Sequence, residues 1–143
     1  MPVMNRAGFV VTGLILCLSG AMAAVDQVAV VSAKSPVTTL TKDQVADIFL
    51  GKASRFPDGS QAVPIDQAEG SAARDEFYLK FAGKSPAQVK AHWSKIIFTG
   101  RGQPPREVSS SIEVKKRVVD NPNAIGYIER AMVDGSVKVL LAQ

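Results

Sequence analysis

The sequence predicts an α/β domain in which a small mixed sheet is flanked by helices. Two observations predict it. Short runs rich in β-branched residues alternate along the chain with segments whose apolar residues recur at helical spacing. The 143 residues are 46% hydrophobic and 21% charged, the balance of a globular chain that can bury a core. That length suits one domain, and no repeat, low-complexity tract or linker divides it.

Residues 28–31, Val-Ala-Val-Val, read as the first strand. Pro36, Thr38 and Thr39 follow as a loop. Thr41 and Gln44 form a capping box, and Val45, Ile48 and Phe49 then share one helical face before Gly51 stops the helix. Pro57-Asp58-Gly59 marks a turn within residues 52–61. Residues 62–65 read as a second strand, with Pro64 placing it at an edge or a strand start. A helix begins near Ser71, with Phe77 and Phe81 on its inner side. Ser85-Pro86 opens another, whose stripe is Val89, Trp93, Ile96 and Ile97; Trp93 is therefore expected to be at least half buried. Residues 100–105 form a Gly/Pro-rich loop. Ser111 is expected to cap a helix reaching Asp120, where Asn121-Pro122 breaks it. Residues 124–128 and 137–141 complete the strands, the last after a turn through Asp134-Gly135.

Ahead of this alternation, Arg6 is the only charge in the first 25 residues. An apolar run over 7–18 leads to Ser19-Gly20-Ala21-Met22-Ala23, a small-residue site of the A-x-A kind. Residues 1–23 are read as a secretory signal peptide, cleaved after Ala23 with Ala24 as the next choice. An uncleaved anchor is the alternative, although the run is shorter than the ~20 residues of a spanning helix. Cys17, the only cysteine, lies inside this run. Leu16 precedes it where a lipoprotein signal wants a small residue, so Cys17 reads as apolar filler. Cleavage removes Arg6 and leaves 120 residues, a charge of +3 and no cysteine, hence no disulfide and no cysteine-ligated metal. The expected location is periplasmic or secreted. The sequence pI is 9.4, but the basic residues are scattered and only Lys115, Lys116 and Arg117 are consecutive. A nucleic-acid binder shows a denser stripe.

The chemistry-bearing residues are few. His92 is the only histidine and reads as a surface or capping residue, with no neighbours at metal-ligand spacing. There is no G-x-S-x-G elbow, P-loop or G-x-G-x-x-G, and Gly100-Arg101-Gly102 runs into prolines rather than a helix. Asp75 and Glu76 are adjacent on a helix and do not face each other. An enzyme is not expected, and no cofactor or metal is implied.

One constellation stands apart. Residues 63–74, Val-Pro-Ile-Asp-Gln-Ala-Glu-Gly-Ser-Ala-Ala-Arg, run from a strand through a tight turn into a helix that starts with small residues. Free N–H groups at a helix start, with the positive end of the dipole, bind anions. Gly70 admits a ligand to the backbone, Ser71 brings a hydroxyl, Ala72 and Ala73 bring N–H groups, and Arg74 brings charge. The same residues also suit plain N-capping by Ser71 with Arg74 solvated on the outer face.

Three segments resemble a known family. Leu40-Thr-Lys-Asp-Gln-Val-Ala-Asp-Ile-Phe-Leu-Gly51 looks like the L-s-x-x-Q-l-x-x-I-F-x-G segment of the phosphate-type substrate-binding proteins of ABC transporters. Glu69-Gly70-Ser71, followed by Phe77, resembles their G-S-G-T anion loop, and Asn121-Pro-Asn-Ala-Ile-Gly-Tyr127 resembles their n-P-x-A-I-G-Y strand. Order and spacing agree over residues 27–140 or so. The resemblance implies a type 2 periplasmic-binding-protein fold, phosphate-like anion binding, and an ABC transporter permease or another periplasmic protein as partner. Two departures accompany it. That family has two lobes with the anion between them, whereas residues 24–143 suffice for one lobe, the one carrying the anion loop. Ala72 and Ala73 stand where the family has Gly and Thr, and Gln67 stands where it has an arginine, so a charge-assisted contact is missing there. Weak anion binding at Gln67 and residues 70–74 is therefore expected. Pairing of two copies can build a cleft. A different class of function is a protein-interaction module that keeps the lobe but has lost the ligand, docking through the face a second lobe would cover.

Overall fold

The computed structural model describes residues 26–140. The expected signal peptide and its cleavage site lie outside the described residues. The described residues form five strands, β1 (Gln27–Ser32), β2 (Val63–Gln67), β3 (Arg106–Val108), β4 (Ala124–Glu129) and β5 (Val137–Val139). They form one sheet in the order β3-β2-β4-β1-β5. β2 runs parallel to both β3 and β4, while β1 runs antiparallel to β4 and β5. The sheet is mixed, and helices cover both faces.

Helices α1 (Lys42–Phe49), α2 (Ala72–Ala82) and α3 (Pro86–Phe98) lie over one face. The capping box of Thr41 and Gln44 opens α1, and Ser85 with Gln88 forms a second one on α3. The core on this side is aromatic. Phe77 stacks on Tyr127 with ring centroids 3.9 Å apart, and Phe49 meets both rings edge-on. Such pairs contribute ~0.5–1.5 kcal/mol each beyond their area. Trp93 is only 6% exposed. His92 serves as a cap, its Nε2 lying 2.7 Å from the Leu50 carbonyl oxygen just past α1.

On the other face lies α4 (Ser111–Asp120). Val114 and Val118 of α4 pack on Val28, Val30, Ile65 and Ile128. This layer is thin because β4 carries Gly126 beneath the helix. An added Cβ there would stand 2.4 Å from Val114 Cγ1.

Apart from shifts of one residue at the ends of β1, β2 and β4, the elements depart from the sequence reading in six places. β2 continues two residues further, to Gln67, and is interior, so Pro64 marks a strand start and not an edge. β3 was not expected, and neither was the 3-10 turn at Arg130–Met132. Ser110, not Ser111, caps α4, its Oγ accepting from the Glu113 N–H. β5 ends at Val139 rather than reaching 141. Ile97 leaves the buried stripe and is 55% exposed, because α3 touches the core only through Val89, Trp93 and, in part, Ile96.

Candidate anion site at the carboxyl edge of the sheet

β2 and β3 run parallel in register, Gln67 opposite Val108. Beyond their carboxyl ends the chain starts α2 at Ser71 and α4 at Ser110. These helices go to opposite faces of the sheet. Two helix N-termini thus diverge at the carboxyl edge of adjacent parallel strands, the point where open α/β sheets leave a crevice for ligands.

At the α2 start, Gly70 takes a left-handed φ of +90°, which turns the chain from β2 into the helix. Ser71 Oγ accepts from the Arg74 N–H at 3.1 Å, the N-cap geometry. The Ser71 N–H, expected to face a ligand, instead donates to the Ala68 carbonyl at 3.1 Å and closes the turn. Ala72 and Ala73 occupy the first two helical positions, and their N–H groups have no hydrogen-bond partner among the described residues. Ala72 is exposed and Ala73 half-buried.

Arg74 does not sit solvated on the outer face. It is 9% exposed, and its Nη1 lies 2.6 Å from Glu107 Oε1 and 3.2 Å from the Gln67 carbonyl. Its charge therefore ties α2 to β3 across the sheet edge. Burial works against the charged form, but Asp66 and Glu107 outweigh it and raise the guanidinium's pKa.

Gln67 points the other way. Its Nε2 donates to Ser111 Oγ and to the Tyr127 carbonyl, both at 3.2 Å, so its amide links β2 to the start of α4. Asp66 faces the aromatic core and not the turn. Tyr78 and Tyr127 each donate to its carboxylate at 2.5 Å, and the Gln67 N–H donates at 2.8 Å. Burial pushes the Asp66 carboxyl above its ordinary value despite these bonds, and burial beside Asp66 pushes both phenols up. Glu69 stands exposed at the rim, 3.6 Å from Lys90.

Ser110 and Glu107 were missed from the sequence, and Ser111 was read only as a helix cap and not as a neighbour of the turn. The Ser109-Ser110-Ser111 run was a signal for a second helix start. Nothing in the spacing indicated that it would stand beside the first. Among the described residues, no group of three or more His, Cys, Asp or Glu is placed to hold a metal, and no helix is long and apolar enough to cross a membrane.

No family model and no curated protein matches the chain. Solved structures do match. One is from Clostridium perfringens, described as a phosphate ABC transporter substrate-binding protein with bound phosphate. It superposes at a TM-score of 0.64 with 25% identity, over 81% of this chain and 44% of that one. The fold is one lobe of a phosphate-type substrate-binding protein. An ABC-type phosphate transport receptor from Vibrio cholerae gives 0.63 with 22% identity, over 81% of this chain and 45% of that one. PstS from Borrelia burgdorferi gives 0.62 with 15% identity, over 82% and 47%. The chain thus spans less than half the length of the structures it matches. In this lobe the three family-like segments form α1, the turn into α2, and the entry to β4.

Proposed function

We propose that residues 24–143 form an exported, non-catalytic lobe that binds a phosphate-like oxyanion weakly at the start of α2. The observation that carries this is the β2–turn–α2 unit, which leaves two helical N–H groups, of Ala72 and Ala73, without partners at the switch point of the sheet. The phosphate named for the Clostridium and Vibrio proteins supports the ligand class. Export after cleavage near Ala23, and a permease or second periplasmic protein as partner, belong to the same reading. The hydroxyl hydrogen of Ser71 remains available to an anion while its oxygen caps the helix. Arg74 lends only part of its charge, because Glu107 holds it, and Glu69 opposes an anion from the rim. Water competes for every donor on an open lobe. The dissociation constant follows as ~0.1 mM to several mM, about 3–5.5 kcal/mol.

The test is an NMR titration with phosphate and with sulfate at constant ionic strength. Saturable shifts of the amides of residues 70–74 are expected, largest at Ala72 and Ala73. Amides that stay still at 20-fold the upper end of that range would reduce the turn to an ordinary helix cap. A second reading, a docking module, is favoured by one observation. Ile112, next to Ser111 at the same edge, is a large apolar side chain left 70% exposed. A silent titration, together with a partner or second copy whose binding Ile112→Asp abolishes, would establish that reading.

A further inference from the structure

The carboxylate of Asp66 does not face the anion turn, yet it stands at its root. Asp66 is the last residue but one of β2 and is 1% exposed. Tyr78 of α2 and Tyr127 of β4, the only tyrosines of the chain, both donate to it, one phenol to each oxygen. The Gln67 N–H is shared between Asp66 Oδ1 and the Tyr127 hydroxyl, at 2.8 and 3.1 Å. The Gln67 carbonyl accepts from Arg74, and its side-chain amide reaches Ser111. The residue that leads into the turn is thus held from three sides, and Asp66 forms one of the holds.

Few charges face Asp66. α2 brings Arg74 and the Tyr78 phenol, and β4 brings the Tyr127 phenol. β3 brings Glu107, which the register sets opposite Asp66 on the same face of the sheet. The Arg74 guanidinium lies 5.6 Å from the centre of the Tyr78 ring and 2.6 Å from Glu107 Oε1. One cation therefore answers two carboxylates. A proton on Asp66 leaves Glu107 as its only counter-charge, and the potential at the neighbouring Ala72 and Ala73 N–H groups becomes more positive. The same proton turns an acceptor-only carboxylate into a donor, so one buried phenol must change from donating to accepting. Burial lifts the Asp66 carboxyl above its ordinary value, which moves this step toward neutral pH. The phenols, pushed up by burial beside Asp66, keep their own protons throughout.

We propose that Asp66 is a positioning residue that makes the anion turn pH-sensitive, oxyanions binding more tightly when its carboxyl is protonated than when it is charged. This coupling rests on the anion reading of the turn and adds a regulator to it.

Sulfate is the probe, because it stays a dianion over the whole range while phosphate does not. The amide shifts of Ala72 and Ala73 give its affinity from about pH 4 to 8 at constant ionic strength. Carbon-labelled tyrosine gives the Cζ resonances of Tyr78 and Tyr127 in the same samples. Both resonances are expected to titrate with one midpoint, and sulfate affinity to fall about three- to tenfold as pH rises through it. In Asp66→Asn both steps should vanish, and in Glu107→Gln the two midpoints should stay equal. The comparison of midpoints in the parent chain needs no variant. Tyrosine resonances that do not titrate, a sulfate step at a different midpoint, or an Asp66→Asn profile like the parent's would overturn the coupling and leave the turn as an anion site. Sulfate shifts absent at every pH would remove the anion site itself, and the coupling with it.

Discussion

Replacing Gly126 with Ala tests how closely α4 sits on the sheet. The new methyl would stand 2.4 Å from Val114 Cγ1 and 3.0 Å from Val118 Cγ2, against 3.4–4 Å for ordinary contact. Both valines are fully buried, so neither can swing clear, and α4 must lift by ~1 Å. Overpacking of this kind costs ~1–3 kcal/mol. The gain from removing a strand glycine, ~0.5–1 kcal/mol, offsets part of it. Lifting α4 also loosens its contact with Val28, Val30 and Ile128, so a net loss of ~2 kcal/mol is expected. Val114→Ala alone removes two buried methyls at ~0.8 kcal/mol each and leaves a cavity, ~2–3 kcal/mol in all. In the double variant the 2.4 Å clash is gone and Val118 needs to move by only a few tenths of an ångström. The pair should therefore cost little more than Val114→Ala alone, a coupling of ~2 kcal/mol. Urea unfolding at constant m-value reads all four corners of the cycle. Additive single-variant costs, or a Gly126→Ala chain within ~0.5 kcal/mol of the parent, would refute the packing argument.

Ser71→Ala should lose ~1 kcal/mol of stability through its N-cap and also shrink the phosphate-induced shifts at Ala72 and Ala73. Calorimetric or urea unfolding beside the titration separates the two, and a stability loss with unchanged shifts would make Ser71 a cap only. Glu107→Gln should free the Arg74 guanidinium and raise phosphate affinity by about 2–10-fold, a gain that fades as salt rises; unchanged affinity in the same titration would show that Arg74 does not reach the ligand. Asp66→Asn probes pH. Burial raises the folded-state carboxyl above its ordinary 3.8, so the folded state keeps a proton that the unfolded chain has released. The stability linked to Asp66 is thus present below that value and is lost as pH rises through the folded-state pKa. Urea midpoints from about pH 4 to 7 should move against the parent relative to Asp66→Asn as pH rises, and a pH-independent difference between the two would contradict it.

Local signals explain what was legible. The capping box at Thr41, the Pro at the start of α3 and the β-branched runs act within four or five residues, and each element they mark is present. β3 carried no such signal. Arg-Glu-Val is three residues long, follows two prolines, and is a strand only because β2 offers it a parallel edge. Ile97 continues the helical period of Val89 and Trp93, but no element lies above it to bury it. The candidate turn was readable because strand, glycine, serine and small residues are contiguous. Its electrostatics were not. Arg74 meets Glu107 33 residues away, and Asp66 meets Tyr127 61 residues away. The second helix start stands beside the first because β3 is threaded next to β2 rather than beside β4.

The two strands that end the sheet, β3 and β5, have three residues apiece. Arg106 and Glu107 are charged on one and Lys138 on the other, whose ammonium donates to the Ser35 carbonyl. Edges this short and this charged present few free ladder groups and resist strand addition. Growth by recruiting another chain's strand, the route to filaments, is thereby closed on both flanks. Any second chain must then approach over the strand ends or the helical layers.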